Sequence, residues 1–293
     1  MILSVDFDGC SDNAHGRHKI IEDARCFVNQ HPTIDEIVVI IGSLRQSLFL
    51  DKYNAIDYAN YHHASLVSCK LLGESFVFEL KQAFPPHLNI HFDPILTSDI
   101  YNQLQAGTTF QAMQNYFAGD MGPSHIVTNQ NGQLIDLLLY PSKHLEEVGI
   151  RGTRELIDFS KISIMYMQMQ HVANRMPNAS IAFRFYDDRM DIHQKLKNFF
   201  QDHPYSIPEN MFWNSVLNKS QETELLPQQI LTMPLQGTGP IEHRYTEILN
   251  QVLETCPFQM IDDHINQQIL EQVLVQTVQK MNAEMDTHMI FTP

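Results

Sequence analysis

The run Glu36-Ile37-Val38-Val39-Ile40-Ile41-Gly42-Ser43 constrains the fold more than any other stretch of this chain. It is continuously apolar and rich in β-branched residues, with no polar alternation, so it suits a strand buried on both faces. Strands of that kind belong to parallel sheets covered by helices on each side. A second short apolar strand, Leu3-Ser4-Val5, opens the chain. Between them Ile20 to Asn29 reads as a helix, closed by His31-Pro32, with Cys10 to Lys19 as a polar loop before it. Strand, helix and strand within about forty residues make a βαβ unit, whose crossover is right-handed. Ser180 to Tyr186 alternates as a later strand, between helices predicted over Lys161 to Met176 and Met190 to Phe200. The pattern predicts an α/β fold with a Rossmann-like core.

Three of these strand ends share a chemistry. The first runs into Asp6-Phe7-Asp8-Gly9, the second into Gly42-Ser43, and the later one into Asp187-Asp188-Arg189-Met190-Asp191. Asp6 and Asp8 project from the same side while the chain stays extended. Two carboxylates held that close repel, which raises the pKa of one unless a cation lies between them. Asp and Gly also make ordinary turns, so the pair decides nothing alone. In a parallel sheet, however, the C-terminal strand ends share one edge, where ligands bind. A hydroxyl, up to five carboxylates and Lys161, at the start of its helix, then converge on one crevice. That set suits phosphoryl transfer: a carboxylate nucleophile, a second carboxylate to move the proton, and a serine and lysine to hold phosphoryl oxygens.

The sequence resembles the haloacid dehalogenase (HAD) superfamily. Val5-Asp6-Phe7-Asp8-Gly9 looks like its first motif, Val38 to Ser43 its second, Lys161 its third and Phe185 to Asp191 its acidic fourth. The likeness covers residues 1 to 45 and 155 to 205, and Cys10 departs from the threonine many members carry. It implies Asp6 as nucleophile, Asp8 as general acid/base, and Ser43 and Lys161 as phosphate-binding residues. It also implies Mg²⁺ held by Asp6, Asp8 through its backbone carbonyl, and Asp187 or Asp188. Asp191 completes the family's D-x-x-x-D spacing, and Arg45 lies where it could face a substrate. More loosely, Gly42 to Ser47, a helical insert and the Phe199 to Pro204 segment look like HAD-like phosphatase effectors of intracellular bacterial pathogens, some of which act on phosphotyrosine.

The organisation expected from this is an α/β core over 1–45 and 155–240, a mainly helical inserted cap over 46–154, and a helical C-terminal extension over 241–293. Within the insert, Asp51 to Leu80 and Ile100 to Phe117 read as helical, the latter broken at Gly107. Leu88 to Ile95 reads as a strand that Pro94 ends or places near an edge. Leu134 to Tyr140 is a short apolar run, and Gln229 to Leu235 a plausible strand. In the tail, Tyr245, Ile248, Leu249, Val252 and Leu253 share one helical face. Residues from Ile265 to Met281 make a second, and these stripes offer themselves to the core or to a protein partner.

A net charge of −15 argues against non-specific nucleic-acid binding, which needs Lys and Arg to neutralise phosphates. It leaves room for an anionic, phosphorylated substrate where a metal reverses the local field. Four scattered cysteines without a C-x-x-C pair read as free thiols, and Cys10, beside the acidic pair, as an unactivated one. His87, His91 and Asp93 have metal-like spacing, but fifteen histidines give many chance pairs. No cleavable leader and no apolar run of membrane-spanning length stand out, so the expected location is cytoplasmic, with transfer into a host cell as the effector likeness implies. The expected function is a Mg²⁺-dependent phosphomonoester hydrolase, acting on protein phosphotyrosine or on a small metabolite or nucleotide. A catalytically silent protein-binding module is the alternative of a different class.

Overall fold

The computed structural model describes residues 1–46, 69–117, 126–129, 131–136, 158–220, 229–230, 234–255, 271–280 and 283. Strand β1 (Ile2–Val5) leads through helix α1 (Ala14–Gln30) to β2 (Glu36–Ile41). Then come α2 (Cys69–Ala83), β3 (Asn89–Asp93), α3 (Thr97–Tyr101) and α4 (Thr108–Phe117). A small antiparallel pair follows, β4 (Ile126–Thr128) with β5 (Leu134–Asp136). Helix α5 (Ile162–Arg175), strand β6 (Ile181–Asp187), helix α6 (Met190–Asp202) and strand β7 (Met211–Leu217) make the second half. Short strands β8 (Gln229–Ile230) and β9 (Leu235–Gln236) precede α7 (Tyr245–Thr255) and a helical segment over 271–280.

Five strands run parallel in the order β3-β2-β1-β6-β7, and β8 and β9 add to β7 antiparallel. The molecule is thus a mixed α/β fold on a mostly parallel sheet, and the chain turns from one half of the sheet to the other between β1 and β6. Helices α1 and α2 cover one face, where Ile20, Ala24, Phe76 and Leu80 pack on Leu3, Val5, Ile37 and Val39. The other face carries α5, α6 and α7, whose Met165, Leu196 and Leu249 pack with Ile40, Phe183, Phe185 and Trp213. The reason for the unbroken apolar run is plain in this arrangement. Ile37 to Ile41 are all buried because both faces of β2 meet helices.

Several boundaries differ from the sequence reading. Helix α1 begins six residues earlier than expected, because Asn13 caps it by accepting from the Gly16 N–H at 2.9 Å. The polar residues of that first turn hide its helical period. Strand β7 carries no strand signal in the sequence reading, since Asn214 and Ser215 interrupt its apolar run. Gln229 to Leu235 resolves into two short pieces, β8 and β9, with 231–233 outside the described residues. Gly107, at φ +89°, does separate two helices, α3 and α4. Residues 51–68, 137–140 and 256–270 of the expected helices and apolar runs lie outside the described residues.

The domain limits need a larger correction. Helix α2 and strand β3, expected inside a cap over 46–154, belong to the sheet sandwich: β3 pairs with β2 from Glu36↔Asn89 to Ile40↔Asp93 and forms the sheet edge. The Leu88 to Ile95 strand signal was sound, and Pro94 does follow an edge strand. In the tail, Ile248, Leu249, Val252, Leu274 and Val278 are buried within the main core, so the described part of these apolar stripes packs on the chain itself.

Asp93, one of the residues with metal-like spacing, is engaged by other side chains. It accepts from His171 Nε2 at 3.0 Å and pairs with Arg175, while His91 faces Glu36 at 3.6 Å. Burial pushes the Asp93 carboxyl up, but the bond and charge of His171 and the Arg175 guanidinium outweigh it and hold it below the ordinary range. A carboxylate so lowered contributes stability above its unfolded pKa and loses it as pH falls through the folded one. Acid melting curves should show this: Asp93→Asn should lower the melting temperature at pH 7 and the deficit should shrink below about pH 4.

Candidate active site

The acidic residues are placed by the ends of β1 and β6. Asp6 follows β1 directly, and its N–H donates to Tyr186 O at 2.9 Å, extending the β1–β6 ladder by one bond. The chain then turns: Cys10 and Ser11 N–H groups donate to Phe7 O, and the Ser11 hydroxyl donates to Asp6 O at 2.7 Å. Phe7 is buried beside Ile41, Leu96 and Phe110, which fixes the loop between the two aspartates. Gly9 sits at φ +78°, and a Cβ there would lie 2.4 Å from Asp188 Oδ2. Both the backbone angle and the close approach of a carboxylate require glycine. Gly9→Ala should therefore destabilise the fold by about 1–3 kcal/mol in urea titration and displace Asp188.

Asp187 ends β6 and is fully buried. Its Oδ1 accepts from Arg189 N–H at 2.8 Å and its Oδ2 from Lys161 Nζ at 2.5 Å. Its carbonyl accepts from Asn218 N–H at 2.8 Å and from His193 Nε2 at 3.0 Å. His193 is buried between this carbonyl and Ser215, and burial lowers its pKa below the ordinary histidine value. Lys161 also reaches Asp6 Oδ1 at 2.9 Å, bridging the two strand ends. Burial disfavours its charge, yet Asp187 and Asp6 hold it protonated well above the ordinary lysine range.

Lys161 stands in the left-handed region, φ 63°, at the N-terminus of α5. The turn that imposes this is built by Asp158, a buried residue the sequence reading does not single out. Asp158 accepts from the Ser163 N–H at 2.6 Å and hydroxyl at 2.8 Å, and from the N–H and hydroxyl of Ser160. The spacing Asp158-x-Ser160-x-x-Ser163 is its only trace in the sequence. Gln168 is a second such residue: it accepts from Ser4 Oγ at 2.6 Å and donates to Ile41 O at 2.6 Å, bracing β1 and β2 against α5.

Asp6, Asp187 and Asp188 each present a carboxylate oxygen within 4.8 Å of the others. Burial is the largest influence on Asp6; Lys161 opposes it, Asp187 and Asp8 reinforce it, and the carboxyl is pushed up to about 7. Burial and the neighbouring Asp187 push Asp188 up to about 6. Among the described residues these three hard oxygen donors, with Lys161 in contact, form a group that could hold a metal ion. Cys10, buried beside them, has its thiol pushed up by burial and by Asp6, which disfavours the thiolate.

The other expected residues are arranged differently. Both Asp8 oxygens are engaged by Arg45, Nε to Oδ2 at 2.9 Å and Nη2 to Oδ1 at 2.5 Å, so its side chain stands outside the three-carboxylate group. Arg45 is buried while the Asp8 side chain is 40% exposed, which leaves the carboxylate open to solvent. Ser43 follows β2 on the same sheet edge, with its hydroxyl accepting from Arg45 N–H at 3.4 Å. Gln46 steadies that loop by donating to Ile41 O and Ser43 O at 2.9 and 2.8 Å. Asp191 turns away onto Arg189 at 2.7 Å, half exposed on α6. Comparison of the chain with protein-family models, with curated proteins and with solved structures finds no match.

Proposed function

We propose that the chain is a phosphomonoester hydrolase of the HAD type, with Asp6 as the nucleophile. The observation that carries this reading is the convergence of Asp6, Lys161, Asp187 and Asp188 at the switch point of a parallel sheet. Asp6 is only 6% exposed, at the end of β1. One of its carboxylate oxygens attacks phosphorus in line as the ester oxygen leaves. Lys161, already bridging Asp6 and Asp187, supplies positive charge where phosphoryl oxygens gather it. Asp8 gives a proton to the leaving oxygen, then takes one from the water that hydrolyses the aspartyl-phosphate. Arg45 is a positioning residue in this scheme, because its fork fixes the plane of the Asp8 carboxylate until substrate competes for it. Asp6, Asp187 and Asp188 are the residues that would hold Mg²⁺, which supplies charge neutralisation between anionic nucleophile and anionic ester when bound.

The direct test is hydrolysis of a chromogenic aryl phosphate by the purified chain with Mg²⁺. The reading expects turnover that EDTA removes and Mg²⁺ restores. Inactivity across divalent metals from pH 5 to 8 would favour a silent protein-binding module instead. The kcat/KM values on phosphotyrosine peptides, set against sugar and nucleotide phosphates, separate a protein phosphatase from a metabolite phosphatase. A clear preference for the metabolites removes the effector analogy.

A further inference from the structure

The residue assigned as the acid and the arginine beside it are locked to one another. Strands β1 and β2 are parallel neighbours paired up to Val5↔Ile41, so the loops carrying Asp8 and Arg45 leave the sheet side by side. Both Asp8 oxygens accept from the guanidinium, one from Nε at 2.9 Å and the other from Nη2 at 2.5 Å. A general acid needs its carboxyl free to carry a proton and hand it over, and here N–H donors hold both oxygens. Turnover therefore requires an event that parts this pair.

The surroundings of Arg45 narrow what that event can be. Its backbone is tied down. The Arg45 N–H donates to Ser43 Oγ at 3.4 Å, and the next side chain, Gln46, donates to Ile41 O and Ser43 O. Gln46 Oε1 also accepts from the Thr97 N–H at 3.2 Å, which joins the loop to α3. The guanidinium can thus change partner by side-chain rotation while the loop stays in place. The pair is open to solvent on one side, because the Asp8 side chain is 40% exposed against 3% for Arg45. Among the described residues, the other basic side chains at this edge have carboxylates of their own. Lys161 bridges Asp6 and Asp187, and Arg189 pairs with Asp191 at 2.7 Å. A guanidinium gives a phosphoryl group the same two parallel N–H bonds that it gives a carboxylate. Ser43, the expected phosphate-binding hydroxyl, is two residues from it in the same loop.

We infer that Arg45 is a latch opened by the substrate: the phosphoryl anion takes the guanidinium from Asp8, and this exchange frees the acid. The inference rests on the hydrolase reading above, but it is tested by binding, without turnover. Inorganic phosphate is titrated calorimetrically, in magnesium buffer, into the wild type, Asp8→Asn, Arg45→Met and the double variant. Asp8→Asn keeps the shape but gives the fork a weaker partner, so phosphate should bind at least about threefold more tightly. Arg45→Met should weaken phosphate by about tenfold, the loss of a charge-assisted contact. In the double variant the gain from Asp8→Asn should vanish, leaving a Kd within about twofold of Arg45→Met alone. A gain that persists without Arg45 would reduce Asp8 to a charge that repels phosphate and overturn the latch. Unchanged or weaker phosphate binding in Asp8→Asn would overturn it as well, and that arm stands even if Arg45→Met does not fold. Aryl phosphate turnover by the wild type together with either of these results would sink the latch and leave the hydrolase reading standing.

Discussion

Lys161→Met should be both inactive and markedly less stable than the wild type. The lysine is 2% exposed and bridges Asp6 and Asp187, themselves 9% and 0% exposed at the side chain. Removing the cation leaves two buried carboxylates, and a third in Asp188, with like-charge repulsion and no compensation. Breaking a buried pair by deleting one partner typically costs about 3–5 kcal/mol. Chemical denaturation in EDTA-containing buffer should show a loss of that order. Where folded protein can still be assayed, aryl phosphate hydrolysis should fall by about 10²–10³-fold, the scale for removing one preorganised charge from a transition state. A folded variant as stable as the wild type would mean that Asp6 and Asp187 are not paired as described.

Asp6→Asn should separate stability from chemistry. The amide keeps the shape and the bond to Lys161 at the Oδ1 position. It also removes one charge from a crowded acidic group, in which burial, Asp187 and Asp8 all push the carboxyl up. The melting temperature should therefore hold or rise. Activity should drop by about 10⁴-fold or more, because a deleted nucleophile is not replaced by its neighbours. That opposite movement of the two readouts distinguishes a catalytic carboxylate from one that merely caps a strand. A variant that keeps a tenth of the activity would assign the nucleophile elsewhere.

Much of the sheet was legible because parallel strands carry a strong apolar signature. Glu36 to Ile41 is buried on both sides, and its sequence says so. The convergence of Asp6, Lys161, Asp187 and Asp188 was legible for a topological reason: strand ends in such a sheet share an edge. Strand β7 was not legible, because Asn214 and Ser215 interrupt its apolar run, Ser215 meeting His193. The fork of Arg45 on Asp8 and the turn of Asp158 around Lys161 depend on side chains meeting across loops, which no local period encodes. The tail shows the same limit from the other side. Its amphipathic stripe was readable, but the identity of its partner, the chain's own core at α5, was a matter of packing.

The nucleophile itself can be read directly. Acid quench of the chain turning over an aryl phosphate with Mg²⁺, followed by borohydride reduction, converts an aspartyl-phosphate to homoserine, which peptide mass analysis locates. The account predicts homoserine in place of Asp6, dependent on substrate and absent after EDTA. Sustained hydrolysis with Asp6 unmodified, or reduction found at Asp8, Asp187 or Asp188 instead, would contradict it.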